Sequence, residues 1–339
     1  MKIYTPDGWL NCDYLYNENK FIMAVTGARG TGKTYGLFKY VLEHKIKFIY
    51  LRRLKAQLDS CTNVSSNPFK KINADLGYDI APQKRGGIVR FLEYAPSAEE
   101  EPPDVVGYGA ALSTVATIRG IDYSDVECII FDEFIAMSQE RPIQNEVAAF
   151  NNFLETVNRN RELEGGSPIK VFMLGNANRL MNPYFLEWRF MRTALKMIHG
   201  GQMMYSTKNG LRKMVMLLNS PISERKKETA LYQTASNDFI EMAIDNAFKT
   251  DETQIAPKQL KDCRHIVSIG TIGIYQLKSN GYHYVSDTVN KINYYIENDI
   301  NLVMFRARYS GLKNLYLYGF IIFENFDCEL LFRGYLGLD

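Results

Sequence analysis

An α/β fold whose mostly parallel sheet surrounds a phosphate-binding loop, with a smaller α+β domain behind it, is predicted by three stretches of this sequence. The first is FIMAVTGARGTGKT, Phe21 to Thr34, where an apolar lead-in runs into Gly27-x-x-x-x-Gly32-Lys33-Thr34. The second is VECIIFDEF, an apolar run from Val126 to Phe131 that ends in Asp132 and Glu133. The third is a change of pattern after about residue 255, where alternating strand and helix signals give way to β-dominated stretches. The boundaries implied are 1–205 for the P-loop domain, 206–254 for a helical linker, and 255–339 for the second domain.

Composition narrows the class. A chain of 339 residues is long enough for two domains, and 46% apolar with 23% charged residues describes a soluble globular protein. The opening MKIYTPDGWL is polar and carries Pro6 and Gly8, so it does not read as a signal peptide, and no apolar run reaches the length of a membrane span. Five scattered cysteines predict a reduced, cytoplasmic setting, and no histidine stands at metal-ligand spacing from a cysteine. With a net charge of +2, nucleic-acid contact has to come from a local patch.

Each residue type in the first stretch has a physical reason. Glycines let the backbone turn its N–H groups inward and approach a phosphate closely. A helix starting near Lys33 adds the positive end of its dipole. The segment Gly27, Ala28, Arg29, Gly30, Thr31, Gly32, Lys33, Thr34 is therefore read as a nucleoside triphosphate cradle. In it Lys33 reaches the β- and γ-phosphates and Thr34 offers a hydroxyl to Mg²⁺. A glycine-rich turn with an incidental lysine is the alternative. The strand-like lead-in and the helix-like exit YGLFKYVLEH weigh against it.

The aromatic and polar residues 1–20, with Trp9, Tyr14 and Tyr16, either pack beside a nucleotide base or cover the sheet edge. A first strand, Phe21–Thr26, and a helix to about His44 precede a second strand, KFIYLRR, completing a right-handed parallel βαβ unit. Arg52 and Arg53 end that strand on the side where ligands sit in open α/β sheets, as coupling or DNA-facing residues or as structural ion pairs. Residues 59–107 read as an irregular excursion around one short strand, IVRFLEY. A strand over Tyr108–Val115 and Arg119 in a polar loop follow.

At the end of VECIIFDEF, Asp132 is placed to hold Mg²⁺ opposite Thr34, and Glu133 to orient and deprotonate the attacking water. Two acids at a strand tip could equally form a helix N-cap, but a P-loop about 100 residues earlier favours the catalytic reading. The spacing of Val147, Phe150, Leu154 and Val157 predicts a helix over 146–161, whose charged tip includes Arg159. That arginine reads either as a finger reaching a neighbouring γ-phosphate or as a partner of its own helix dipole. The strand KVFMLGNAN presents Asn176, either a sensor of the γ-phosphate or a turn former.

Past residue 188 the chain turns basic. Arg189, Arg192, Lys196, Lys208, Arg212 and Lys213 come before the next acid after Glu187, Glu224, and are candidate contacts to a phosphate backbone. SERKKETALYQ and NDFIEMAIDNAF read as short connector helices. In the last domain one strand over His265–Leu277, an Asn280-Gly281 hairpin turn and a second strand around YHYVSDTV are predicted. The first of these carries no acid, so a two-metal nuclease centre is not expected and a binding module is.

Taken together, TGARGTGKTYG, FIYLRR, IIFDEFI, NEVAAFNNFLETVNRNRE, LGNAN with NPYFL, and SERKK followed by EMAIDNAF resemble the DNA-packaging ATPases of small tailed phages of the phi29 type. The resemblance implies an ASCE ATPase domain, ATP and Mg²⁺ as ligands, and a ring of five subunits at the portal vertex of a procapsid in the host cytoplasm, without a membrane. It implies double-stranded DNA and the portal connector as partners, and leaves open a structural packaging RNA, which some relatives use. Lys33 and Thr34 then match the phosphate and Mg²⁺ ligands, Asp132 the Walker B acid, Glu133 the catalytic base, Arg159 a finger acting in trans, and Arg119 a basic residue at the subunit interface. The last domain is expected to be RNase H-like with its metal-binding acids lost. A helicase-like remodeller or a terminase with an active nuclease are the other readings, and the acid pair at 132–133 argues against a nucleotide kinase.

Overall fold

The computed structural model describes residues 3–85, 88–94, 102–118, 121–137, 140, 143, 145–176, 182–188, 190–234, 260–278 and 282–338. Contacts divide the chain into two units. One comprises Met1–Ala136, Ile143–Asn178 and Lys196–Ala247; the other comprises Met137–Pro142, Arg179–Leu195 and Phe248–Asp339.

The first unit opens with a short helix α1 (Cys12–Tyr16), then β1 (Ile22–Gly27), α2 (Lys33–Glu43) and β2 (Phe48–Arg52). Buried Leu37, Phe38, Tyr40, Val41 and Leu42 give α2 its inward face, and the helix stops where Lys45 turns left-handed at φ 53°. Next come α3 (Lys55–Ser60), α4 (Lys70–Leu76), β3 (Ile80–Arg85), β4 (Ile88–Glu93), β5 (Asp104–Ala111), β6 (Cys128–Asp132), α5 (Glu146–Asn158) and β7 (Lys170–Asn176). Helix α6 (Pro183–Glu187) and the start of α7 (Met191–His199) belong to the second unit; the first resumes at Lys196 within α7 and continues with β8 (Met204–Ser206), β9 (Arg212–Leu217), α8 (Pro221–Lys227) and α9 (Ala230–Thr234).

These strands form a nine-stranded sheet in the order β3-β4-β5-β2-β6-β7-β1-β9-β8. From β5 to β9 every pairing is parallel, while β4 and β8 join antiparallel at the two sides. The crossovers carry the tips of β1, β6 and β7 to one edge of the sheet. Their interiors are continuous apolar runs because both faces are covered. A cluster of Phe38, Phe48, Phe69, Phe91 and Tyr50 packs over one face, with the Phe38 and Phe69 centroids 4.5 Å apart. Each such ring contributes about 1.5–3 kcal/mol on full burial.

Several expectations change. Within 59–107 the sequence pointed to one strand, but the chain forms α4 and the β3–β4 hairpin there, and β5 begins at Asp104 rather than Tyr108. Pro82 obscured β3: proline cannot donate to a ladder, and β3 tolerates it because it is the edge strand. The helix predicted over 146–161 ends at Asn158. The stretch read as linker from residue 206 begins with the end of β8 and contains all of β9, which pairs with β1 from Ile22↔Arg212 to Gly27↔Leu217. NDFIEMAIDNAF and the Asn280-Gly281 turn lie outside the described residues.

The second unit contains β10 (Cys263–Ile269), β11 (Ile272–Leu277), β12 (His283–Ser286), β13 (Tyr294–Tyr295) and β14 (Ile321–Phe323), ordered β13-β10-β11-β12-β14. Helices α10 (Asp299–Arg308), α11 (Gly311–Leu317) and α12 (Phe326–Leu336) accompany them. The single strand expected over 265–277 is a hairpin. Gly270 at φ 54° lets the chain reverse so that Ile269 faces Ile272. Phe305, Tyr316, Phe323 and Phe332 fill the core, where the Tyr316 hydroxyl donates to Glu329 at 2.7 Å. Among the described residues no helix is long and apolar enough to cross a membrane.

Candidate nucleotide site

Residues from β1, β6 and β7 meet at the carboxyl edge of the large sheet. The P-loop leaves β1 at Gly27 and enters α2 through Gly32, whose φ of 87° a side-chain-bearing residue would adopt only under strain. Lys33 is buried, and its ammonium donates to the carbonyls of Gly27 at 3.2 Å and Ala28 at 2.7 Å. The Thr31 hydroxyl and Asn176 Oδ1 each lie 3.4 Å away. Burial lowers the Lys33 pKa to about 8, against the pull of Asp132. The groups that accept its hydrogen bonds are neutral, so an anion entering the loop would give it a charged partner in direct contact.

The Thr34 hydroxyl donates to Asp132 Oδ1 at 2.9 Å, and Tyr50 donates to Asp132 Oδ2 at 3.0 Å. Burial raises the Asp132 pKa, while Arg52 and the Thr34 hydrogen bond oppose that shift. A hydroxyl and a carboxylate oxygen side by side beneath the loop fit a Mg²⁺ ion, whose hard oxygen-ligand preference they meet. Glu133 follows with a left-handed backbone, φ 57°, just past the end of β6. Such strain gathers at functional sites.

Sequence reasoning had left Arg52 open. Its guanidinium bridges both acids, NH1 to Asp132 Oδ2 at 3.1 Å and NH2 to Glu133 Oε2 at 2.5 Å. Its neighbour Arg53 turns the other way and forms a two-pronged pair with Glu146, both contacts 2.8 Å. Alternation along β2 separates the two arginines, one to the site and one to α5.

Lys226 lies in the stretch SERKKETALYQ, read as a connector helix, yet on α8 its ammonium donates to the Arg29 carbonyl at 2.5 Å. Burial lowers its pKa. The start of α8 also approaches the N-terminal loop at Gly8, and that loop donates from Leu10 N–H to the Thr31 carbonyl at 3.1 Å. The P-loop is thus braced from both sides, by α8 and by residues 3–10. Tyr16, by contrast, stacks on Tyr40 and Phe172 inside the core.

Arg159 caps α5 at φ 45°, half exposed, with NH2 donating to the Ile121 carbonyl at 3.0 Å and NH1 3.6 Å from Asp122. None of these contacts is with the P-loop of its own chain. Arg161 donates to the Tyr123 carbonyl at 2.8 Å. Of the basic candidates, Lys196 and Lys208 are exposed, Arg212 is half-buried on β9, and Arg192 lies on α7. Lys213 is buried and paired with Glu18 at 2.8 Å, so it offers no charge to a ligand. Arg119 and Arg189 lie outside the described residues.

Comparison with known proteins adds to this geometry. The pattern of the family described as "Podovirus DNA encapsidation protein (Gp16)" matches residues 7–303. The DNA packaging protein of Bacillus phage phi29 is 27% identical over 342 residues, covering 95% of this chain and 93% of that protein. A solved structure of the phi28 DNA packaging motor matches with a TM-score of 0.58 at 19% identity, covering 98% and 97% of the two chains. The phi29 viral genome packaging motor assembly matches with 0.51 at 21% identity, covering 98% and 99%. At such identities the structural matches speak for the fold.

Proposed function

The chain belongs to the podovirus DNA encapsidation protein (Gp16) family, and from that membership we propose that it is an ATP-driven motor moving double-stranded DNA into a procapsid. The observation that carries the reading is the convergence of Lys33, Thr34, Asp132 and Glu133 at one sheet edge from two motifs about 100 residues apart. Homologues named DNA packaging proteins, matched along nearly their whole length, support the cargo.

In this reading Lys33 and the first-turn N–H groups of α2 bind the triphosphate, and Thr34 with Asp132 would hold Mg²⁺. The ion would neutralise charge between the β- and γ-phosphates. Glu133 takes a proton from the attacking water. The Arg52 guanidinium occupies Glu133 Oε2 at 2.5 Å, so it has to leave that oxygen before a water can approach it. Asn176, already 3.4 Å from the Lys33 ammonium, is placed to sense whether the γ-phosphate is present. Arg159, exposed and bonded to the Thr156 and Ile121 carbonyls near Asp122, serves a neighbouring subunit's site. A finger acting in trans would need a ring of subunits, which we take to be a pentamer at the portal vertex in the host cytoplasm, with a structural packaging RNA as a further partner. Arg189, Arg192, Lys196, Lys208 and Arg212 are the proposed DNA contacts, and Arg119 a second residue at the subunit interface.

Packaging of DNA into procapsids, dependent on ATP and lost in Lys33→Ala, tests the function directly. Mixing Arg159→Ala subunits with Lys33→Ala subunits tests the ring: some interfaces recover turnover if the arginine acts in trans, and none recovers if it acts within its own chain.

A further inference from the structure

Residues 3–10 make a small closed loop that is pinned on three sides. Tyr4 and Leu10 pair as an antiparallel bridge, Thr5 N–H donates to the Trp9 carbonyl at 2.8 Å, and Trp9 N–H donates to Thr5 Oγ1 at 3.1 Å. The Tyr4 hydroxyl donates to the Leu218 carbonyl just past β9 at 3.0 Å. Gly8, at φ 89°, lies so close to α8 that an added Cβ would stand 2.8 Å from the Pro221 side chain. The third anchor is the Leu10 bond to the P-loop carbonyl of Thr31, at 3.1 Å.

Such a loop has every means to bury its apolar residues, and Ile3 and Leu10 are each only 4% exposed. Trp9 is 45% exposed. Its indole sits against Gly32, where an added Cβ would come within 3.2 Å of Trp9 Cε3. Nearly half of a large aromatic side chain is therefore left open, on a braced backbone, beside the residue that starts the phosphate-binding helix.

We propose that Trp9 is the platform on which the base of the bound nucleotide stacks. The proposal rests on the P-loop reading above and extends it from the phosphates to the base. An indole offers a flat apolar surface that matches a nucleobase, and a stacked base is worth about five- to 150-fold in affinity when the aromatic residue is truncated. Stacking strength grows with ring area, so purine triphosphates bind more tightly than pyrimidine ones.

The test uses the full chain carrying Glu133→Gln, so that ATP persists during calorimetric titration, and compares ATP with inorganic tripolyphosphate, which has no base. Trp9→Ala is expected to weaken ATP about tenfold, leave tripolyphosphate within about twofold, and erase the preference for ATP over CTP. Trp9→Tyr restores most of the loss, and Trp9→Leu, which keeps an apolar side chain without the π face, does not. In a Trp188→Phe background, ATP quenches the remaining indole emission and tripolyphosphate does not. Equal losses for ATP and tripolyphosphate would make Trp9 a brace of the P-loop and overturn the proposal, as would an unchanged ATP affinity. Failure of the underlying reading is distinct: the parent would then bind neither ligand, or would bind both without regard to Lys33→Ala.

Discussion

Arg52 and Arg53 are consecutive, equally charged and each matched to carboxylates, yet they belong to two different regions. Arg53 is 1% exposed and joins the end of β2 to Glu146, the first residue of α5, which is itself 4% exposed. Arg52 keeps contact with solvent and divides its guanidinium between two acids on the far side of the strand. The first pair is closed, since both charges are buried and joined by two contacts of 2.8 Å. The second is a provisional arrangement, because the two acids it holds have other work in hydrolysis. Buried charge at a strand tip therefore has no single meaning; what decides it is whether the partner has a competing ligand.

The comparison breaks first at Glu133. Glu133→Gln is expected to lower ATP turnover by about 10²–10⁴-fold while ATP binding measured by calorimetry persists. If turnover is normal, Arg52 is holding a structural acid and the contrast dissolves. Arg53→Ala comes next. Removing one partner of a fully buried pair costs about 3–5 kcal/mol, which thermal denaturation would register as a large loss of stability, with Arg53→Met plus Glu146→Leu much milder. A mild single variant would mean that the pair is not closed after all. Arg52→Ala should leave stability closer to the parent and act on the acid side of the pH profile instead. Arg52 holds the Asp132 pKa down against burial, so without it Asp132 protonates at higher pH and Mg²⁺-dependent ATP binding fails earlier on acidification.

The smallest effect sits at Lys33. Its ammonium loses its proton at about 8 in the nucleotide-free chain and must be charged to bind a triphosphate. Binding therefore raises its pKa, takes up a proton above that value, and weakens as pH rises through about 8, by at most about tenfold per unit. Asp132 and Glu133 favour the charged form, while Arg29 and Lys226 oppose it, so the slope reports the whole cluster. Lys33→Met should bind weakly and without this slope, as titrations between pH 7 and 10 would show.

Much of this was legible in the sequence. The P-loop is local, and the acids end an apolar run that only a buried strand explains, so both declared their chemistry without neighbours. The contact of Thr34 with Asp132 follows once both strands are parallel members of one sheet. The roles of Arg52 and Arg53 were not legible, because alternation says that they point apart but not which side holds the site. Lys226 was hidden in a basic run, where composition suggests a solvated face and only the helix phase turns one member inward. Lys213 was misjudged for the same reason, as residue 213 falls on a strand rather than a connector. Pro82 hid an edge strand, and Gly270 hid a hairpin inside what read as one continuous strand.

The position of β9 has a consequence for how the chain is made. β1 lies between β7 and β9, so the strand that carries the P-loop is completed on one side by residues 171–176 and on the other by residues 212–217. A nascent chain cannot close that sheet until more than half of it has left the ribosome. A fragment stopped at residue 205 would leave β1, six buried residues without a proline, as an open edge. Such an edge is a template for pairing with other copies. The nucleotide loop, among the first parts to be synthesised, is among the last to be supported.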